Sequence, residues 1–370
     1  MATDKTHKIP NAPNLRFPEF SGEWEAKRLG DDCEIQMCKR VFANQTSEIG
    51  DVPFYKIGTI GAEADAFISQ ELYEEYRSKY NYPRHGEVLI TCAGTVGKTI
   101  TYKGEDAYYQ DSNIVWISNP KQYYVNSFLQ RVLSRIDWSK LNTTTIVRIY
   151  NDNLRDIVVF YPSKKEQDKI TNLFSLIDDR IQTQIGAINK HESLIKAIAG
   201  ELTCEGEKVR LADLVDCHSS TMQENDITND GPYPVYGATG ICGYTDSPMC
   251  KEDAIIIVKD GSGVGNIKFV SGGFSILGTL CYMTAKQDVS IGYVYCCLVN
   301  FDFSPYKTGM AIPHIYFKDY GKGKINIKNA AEQQKIRTLV LSLMNKLDVE
   351  RQLLKQYKLQ KQYLLSQMFV

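Results

Sequence analysis

Two long stretches of this chain carry apolar residues at helical spacing, and they are copies of one another. "EQDKITNLFSLIDDRIQTQI" begins at Glu166, and "EQQKIRTLVLSLMNKLDVER" begins 166 residues later at Glu332, aligned without a gap. Ile170, Leu173, Ile177, Ile181 and Ile188 fall on Ile336, Leu339, Leu343, Leu347 and Leu354. Steps of three, four, four and seven lay these residues along one face of an α-helix. Phe174, Ile181, Ile188, Ile195 and Leu202 also keep the seven-residue step of a coiled-coil seam. Helices are therefore predicted over residues 164–203 and 330–370, each ~55 Å long if about 37 residues are helical. Antiparallel pairing of the two would bury both stripes.

The repeat continues upstream. "TIVRIY" (Thr145 to Tyr150) matches "AIPHIY" (Ala311 to Tyr316) at the same offset, and "VLITCAGTVGKT" matches "IIIVKDGSGVGN" with the offset changed by two. Short β-branched runs such as "GEVLITC", "DAIIIVKD" and "SNIVWIS" predict strands. "ISQELYEEYRSKY" predicts a helix. The layout is α+β and internally repeated: a mixed α/β domain over residues 1–163, the first long helix, a second mixed domain over 204–329, and the second long helix. The polar link "TCEGEK" opens the second copy.

Within the first copy, Gly97-Lys98-Thr99 resembles the end of a phosphate-binding loop. The P-loop pattern G-x-x-x-x-G-K-[ST] requires a glycine where Cys92 stands. In the second copy the counterpart is Gly265-Asn266-Ile267, which cannot be a P-loop. The two copies share an apolar strand, a glycine turn and a following strand, so the expected role of the glycine is a tight turn. "GSGVG" is too short and wrongly placed to open a dinucleotide-binding helix.

The 370 residues are 43% hydrophobic, enough for two or three domains with cores of their own. No apolar run approaches a membrane span, and the start "MATDKTHKIPNAPNLRFPEF" has no apolar signal-peptide core. Ten cysteines without a C-x-x-C pair, several inside apolar runs, suit a reducing cytoplasm. A formal net charge of −1 is unlike that of a purely electrostatic DNA binder. No adenine-methylation motif, H-E-x-x-H or G-x-S-x-G is present, and His7, His85, His191, His218 and His314 are scattered. Nothing proposes a catalytic residue or a metal site.

"PNLRFPEFSGEWEAKRLGD", "GEVLITCAGTVGK", "VRLADLVD", "GPYPVYGATGICGYTD", "IIIVKDGSGVGNI" and the two "EQxKI" helix openings together resemble the specificity subunits of type I restriction–modification systems. The resemblance covers nearly the whole chain. It implies two target-recognition domains held apart by two antiparallel helices, each domain reading one half of a split double-stranded DNA target. It also implies two methyltransferase subunits carrying S-adenosylmethionine, and two motor and nuclease subunits using ATP and Mg2+. This chain itself would hold no cofactor and catalyse nothing. The spacer helices would present Ile170, Leu173, Phe174, Ile177, Ile181, Ile188 and Ile195, with Ile336, Leu339, Leu343, Leu347 and Leu354.

Base edges are read by Arg, Lys, Asn, Gln, Ser and Thr offered from turns. In the first domain the candidates are Thr95, Lys98, Thr143, Thr144, Thr145 and Arg148. In the second they are Tyr236, Thr239, Lys259, Ser262, Asn266, Lys307, Thr308 and His314. Unlike residues fill equivalent places, Lys98 against Asn266 and Arg148 against His314, as two readers of different half-sequences require. The shared Gly, Val, Ile and Tyr residues are expected to be scaffold. Other readings stay open: a partner that fuses nuclease and methyltransferase in one chain, as in type IIB-like systems; an orphan subunit; a nucleotide-binding enzyme built on Lys98 and Thr99; or an adaptor whose domains bind proteins.

Overall fold

The computed structural model describes residues 11–141, 148–286 and 289–370. In chain order the first copy contains β1 (Glu25–Arg28), α1 (Leu29–Asp32), β2 (Glu34–Gln36), β3 (Val52–Tyr55), β4 (Phe67–Ile68), α2 (Gln70–Lys79), β5 (Val88–Thr91), β6 (Thr99–Thr101), β7 (Tyr108–Tyr109), β8 (Ile114–Ser118), α3 (Asn126–Ser134), α4 (Asn151–Arg155), β9 (Val158–Tyr161) and the long α5 (Lys164–Thr203). The second contains β10 (Glu207–Arg210), α6 (Leu211–Leu214), β11 (Val215–Ser219), β12 (Tyr233–Gly237), β13 (Gly240–Thr245), β14 (Ala254–Val258), β15 (Ile267–Val270), β16 (Ser275–Ile276), β17 (Leu280–Ala285), α7 (Ile291–Leu298), α8 (Phe317–Tyr320), β18 (Lys324–Ile327) and the long α9 (Ala330–Gln367).

The two copies repeat one strand topology. A four-stranded sheet runs β2-β8-β5-β6 in the first and β11-β17-β14-β15 in the second. A three-stranded sheet runs β4-β3-β7 and β13-β12-β16, with one parallel pair in each, β3 with β7 and β12 with β16. A two-stranded ribbon joins start to end, β1 with β9 and β10 with β18. The central strands β5 (VLIT) and β14 (AIIIV) are buried at every residue. That explains their unbroken apolar runs, since both faces are covered.

The chain divides into two compact units, and the division falls inside the long helices. One unit takes in the chain up to Ile181 together with Gln356–Val370; the other is Gln182–Lys355. In the first, the opening turns of α5 meet the closing turns of α9. Ile170 and Phe174 are buried there with Met368 and Phe369, and the Phe369 ring stacks on Phe128 at 5.2 Å and stands edge-on to Trp24 at 6.3 Å. Arg180 Nε donates to Tyr357 Oη at 2.9 Å, and Lys361 pairs with Asp178 at 2.5 Å. In the second unit, Ile188, Ile195 and Ala199 of α5 are buried with Ile336, Val340 and Leu347 of α9. His191 Nδ1 lies 2.6 Å from Glu350 Oε2, and Arg351 donates to Glu192 at 2.7 Å. The helices are antiparallel in both. Each buried aliphatic side chain of the seam contributes about 1.5–3 kcal/mol.

The structure differs from the expected stripe at Leu339, which is 47% exposed. Its neighbour Val340 is fully buried instead. Val340 lies 166 residues after Phe174, so the seven-residue register of α5 maps onto Val340, Leu347 and Leu354. One position along a helix is a turn of about 100°, enough to carry Leu339 off the seam. Leu173, Ile177, Leu343 and Leu354 are half-buried beside the cores.

The "EQ" that opens each long helix has the same task twice. Gln167 Oε1 accepts the Val125 amide ahead of α3 at 2.7 Å, and its Nε2 donates to the Pro162 carbonyl at 2.9 Å. Gln333 Oε1 accepts the Ser290 amide ahead of α7 at 3.1 Å, and its Nε2 donates to the Lys328 carbonyl at 2.8 Å. Both carboxamides are buried and each fastens a long helix to the sheet helix of its own unit. The acidic neighbour differs. Glu166, 1% exposed, takes both arms of the Arg16 guanidinium at 2.7 Å, whereas Glu332 accepts from Asn329 Nδ2 at 2.6 Å.

Candidate nucleic-acid interface

The glycine turn of the first unit, Cys92 to Lys98, joins β5 to β6. Thr91 N donates to the Lys98 carbonyl at 3.0 Å and Gly97 N to the Thr91 carbonyl at 2.8 Å. The segment after it is a strand rather than a helix, and Gly97 N–H is spent on the turn, so the turn lacks the open amide cradle of a P-loop. Gly97 and Gly265 both take φ near +85°, at +82° and +89°, a region in which a side chain is strained. The expectation of a structural turn is met in both copies.

Thr95 and Lys98 stand exposed on this turn. Lys98 Nζ reaches the Ile60 carbonyl at 2.5 Å. Ile149 N donates to the Cys92 carbonyl at 2.9 Å, which lays the segment containing Arg148 beside the turn. Burial pushes the Cys92 thiol up to about 11, and the nearby Arg148 guanidinium pulls against that shift. Arg148 also lies over the Tyr150 ring, 5.8 Å from its centroid. Thr143, Thr144 and Thr145 lie outside the described residues.

In the second unit the turn from Lys259 to Asn266 is bordered on two sides. On one side Gly261 N donates to the Pro313 carbonyl and Ile315 N to the Lys259 carbonyl, both at 2.9 Å. Thr308 and His314 exchange backbone hydrogen bonds of 2.9 and 2.8 Å, closing a hairpin-like loop. This brings Lys259, Ser262, Thr308 and His314 together, with Lys307 exposed next to Thr308. On the other side a cavity of about 210 Å³ is lined by Tyr236, Thr239, Asn266 and Lys268 among others. Thr239 sits in the two-residue turn between β12 and β13.

Tyr236 is only 8% exposed, its ring edge-on to Phe274 at 6.2 Å and covered by Lys268 Nζ at 5.0 Å. It forms a wall of the cavity floor, and the ammonium above it is the group that faces outward. Sequence reasoning passed over Lys268, although it stands on β15 two residues after Asn266 and lines the same cavity. Lys259 also bears on chemistry beneath its turn. The Cys217 thiol in hydrogen-bonding contact holds the Cys281 thiol down, and Ser219 and Lys259 act in the same direction.

A second omission is Tyr150 and its counterpart Tyr316. Both were expected to be scaffold, yet they are 60% and 49% exposed. The preceding Ile149 and Ile315 are the scaffold residues, each 2% exposed. Among the described residues no group of three His, Cys, Asp or Glu side chains could hold a metal ion, and no helix is long and apolar enough to cross a membrane.

The family description "Type I restriction modification DNA specificity domain" fits the chain twice, over residues 21–190 and 205–359. A putative type I restriction enzyme specificity subunit of Haemophilus influenzae is 43% identical over 162 residues, which is 44% of this chain and 41% of that protein. A putative type I specificity subunit of Mycoplasma genitalium is 24% identical over 250 residues, 61% of this chain and 65% of the relative. Each match therefore spans less than two thirds of the relative. Among solved structures, the type I restriction–modification S subunit from M. genitalium superposes with a TM-score of 0.64 at 16% identity, covering 97% of this chain and 99% of that one. A chain from a structure describing assembly and conformational transition of the type I system gives a TM-score of 0.53 at 14% identity, covering 94% and 97%. With both of its halves matched to that family description, the chain belongs to the type I restriction modification DNA specificity domain family.

Proposed function

We propose that this chain is the non-catalytic DNA-reading subunit of a type I restriction–methylation complex. Each target-recognition domain, residues 1–163 and 204–329, reads one half of a bipartite duplex target from its glycine turn and the loop beside it. The helices over residues 164–203 and 330–370 set the spacing of the half-sites and recruit methyltransferase subunits, and through them motor and nuclease subunits. The observation that carries the reading is one topology built twice with unlike polar residues at matched places: Lys98 and Asn266 on the turns, Arg148 and His314 beside them. A scaffold held constant while its presented side chains change is what two readers of different sequences need. The net charge of −1 fits a reader whose partners supply part of the phosphate grip. S-adenosylmethionine, ATP and Mg2+ belong on those partners, and the complex works in the cytoplasm.

Methylation-site mapping in cells carrying the chain with its neighbouring methyltransferase gene tests this. A split motif with adenine methylated in each half is expected, lost when this gene is deleted. A single uninterrupted motif, or methylation that persists without the chain, would defeat the reading. Against the nucleotide-binding enzyme stand the strand that begins at Thr99 and the Lys98–Ile60 contact.

A further inference from the structure

Tyr150 and Tyr316 occupy the same place in the two copies, 166 residues apart. Each follows a buried isoleucine whose amide is bonded to the glycine turn, Ile149 to the Cys92 carbonyl and Ile315 to the Lys259 carbonyl. Each is also the residue before a short helix, a place any residue can fill with its backbone. The rings themselves do little for the fold. They are 60% and 49% exposed. Each ring has a cation beside it, the Arg148 guanidinium 5.8 Å from the Tyr150 centroid and Lys318 Nζ 5.2 Å from the Tyr316 centroid, and Tyr316 also meets the His314 ring edge-on at 5.1 Å.

Three properties constrain the role. Exposure argues against a packing role, because a side chain about half in water contributes less burial than a core one. Identity in both copies argues against base reading, because residues that distinguish two half-sequences differ, as Arg148 and His314 do two residues earlier. The adjacent cation argues for an anionic ligand. Apart from the adenine to be methylated, what two different half-sites have in common is the sugar–phosphate backbone, and tyrosine hydroxyls are among the groups that bind it.

Resting on the DNA-reading function above, we propose that Tyr150 and Tyr316 are a matched pair of sequence-independent contacts, each phenol donating a hydrogen bond to a backbone phosphate and so fixing the register of its domain on the duplex. Arg148 and His314 are then presented to the bases from a fixed origin, and beside Tyr316 the Lys318 ammonium strengthens the local pull on the phosphate.

The test uses the full chain assembled with its methyltransferase subunits and measures affinity for the cognate duplex, for duplexes altered in either half-site, and for unrelated DNA. Tyr150→Phe and Tyr316→Phe each remove only the hydroxyl. Each should weaken all of these duplexes by a similar factor, about tenfold for a charge-assisted hydrogen bond, leaving half-site preference and thermal unfolding unchanged. The double variant should lose about the product of the two factors. Unchanged affinity would overturn the proposal. So would relaxed preference confined to one half-site, which would make the tyrosine a base reader, or loss of subunit assembly with DNA contacts intact, which would make it a protein contact. A wild-type complex that failed to prefer its cognate duplex would instead defeat the DNA-reading function itself.

Discussion

Gly97 lies directly against the indole of Trp138: a Cβ at Gly97 would stand 2.0 Å from Trp138 Cδ1 and 2.2 Å from Nε1. The matched Gly265 meets a gentler obstacle, with Phe303 Cβ 3.1 Å away. Gly97→Ala must therefore displace a buried tryptophan as well as hold an alanine at positive φ. The backbone term is about 1–2 kcal/mol and overpacking adds about 1–3 kcal/mol. Gly265→Ala faces chiefly the first. Chemical denaturation of the two variants should rank Gly97→Ala as the more destabilising. Equal losses would mean that Trp138 swings aside without penalty.

Gln167→Ala should be among the more damaging substitutions that leave the candidate DNA-reading loops untouched. It strips partners from the Val125 amide and from the Tyr123 and Pro162 carbonyls at once. Each buried polar group left unsatisfied costs about 1–3 kcal/mol. Gln333→Ala removes two such bonds rather than three and should cost less. Thermal unfolding of the two variants checks the order, and Gln167→Glu should fail to restore stability, since a carboxylate cannot donate to the two carbonyls.

Much of this was legible in the sequence, for physical reasons that can be traced to particular residues. The heptad from Phe174 to Leu202 declares the seam because only one helical face is buried, and the burial of Ile181, Ile188 and Ile195 follows it. The same logic misassigned Leu339, because two adjacent apolar residues, Leu339 and Val340, cannot be ordered by hydrophobicity alone. The glycine turn was readable because two copies lacking a common phosphate-binding lysine still keep Gly97 and Gly265. The three-stranded sheets were not readable: β4, β7 and β16 are two residues long, and the parallel pairs join strands distant in sequence. Tyr150 and Tyr316 were misread because identity between copies was equated with burial. Shared contact with a common ligand leaves the same trace in a sequence. Lys268 was passed over because of its position inside a strand, although its turn neighbour Asn266 was a candidate.

Arg148→Ala and His314→Ala should divide the target between them. Each occupies the same place in its own unit, beside its own glycine turn. Loss of a good base contact costs about 1–3 kcal/mol of discrimination. Methylation mapping should show Arg148→Ala relaxing one half of the motif and His314→Ala the other. A uniform loss of affinity over all sequences from Arg148→Ala would make it a phosphate contact instead.

On the proposed function the two helices act together as a ruler, and the place to lengthen it is where the compact units meet along each helix. That place is between Ile181 and Gln182 in α5, and between Lys355 and Gln356 in α9. Because the helices are antiparallel within each unit, lengthening one alone would shear the contacts on one side: Arg180 with Tyr357 in the first unit, His191 with Glu350 in the second. Four residues inserted at both places keep those contacts and add about one turn, ~6 Å. DNA rises ~3.4 Å per base pair, so the unspecified gap in the methylated motif should grow by one or two base pairs while both half-sequences stay the same. Four residues overshoot a whole helical turn by about 40°, and a duplex lengthened by one or two pairs also rotates. Reduced activity with the longer gap is therefore expected, and a series of three, four and seven residues should show activity recovering where the two rotations agree. An unchanged gap with full activity would mean that the helices do not measure the distance. Altered half-sequences would mean that they take part in reading bases.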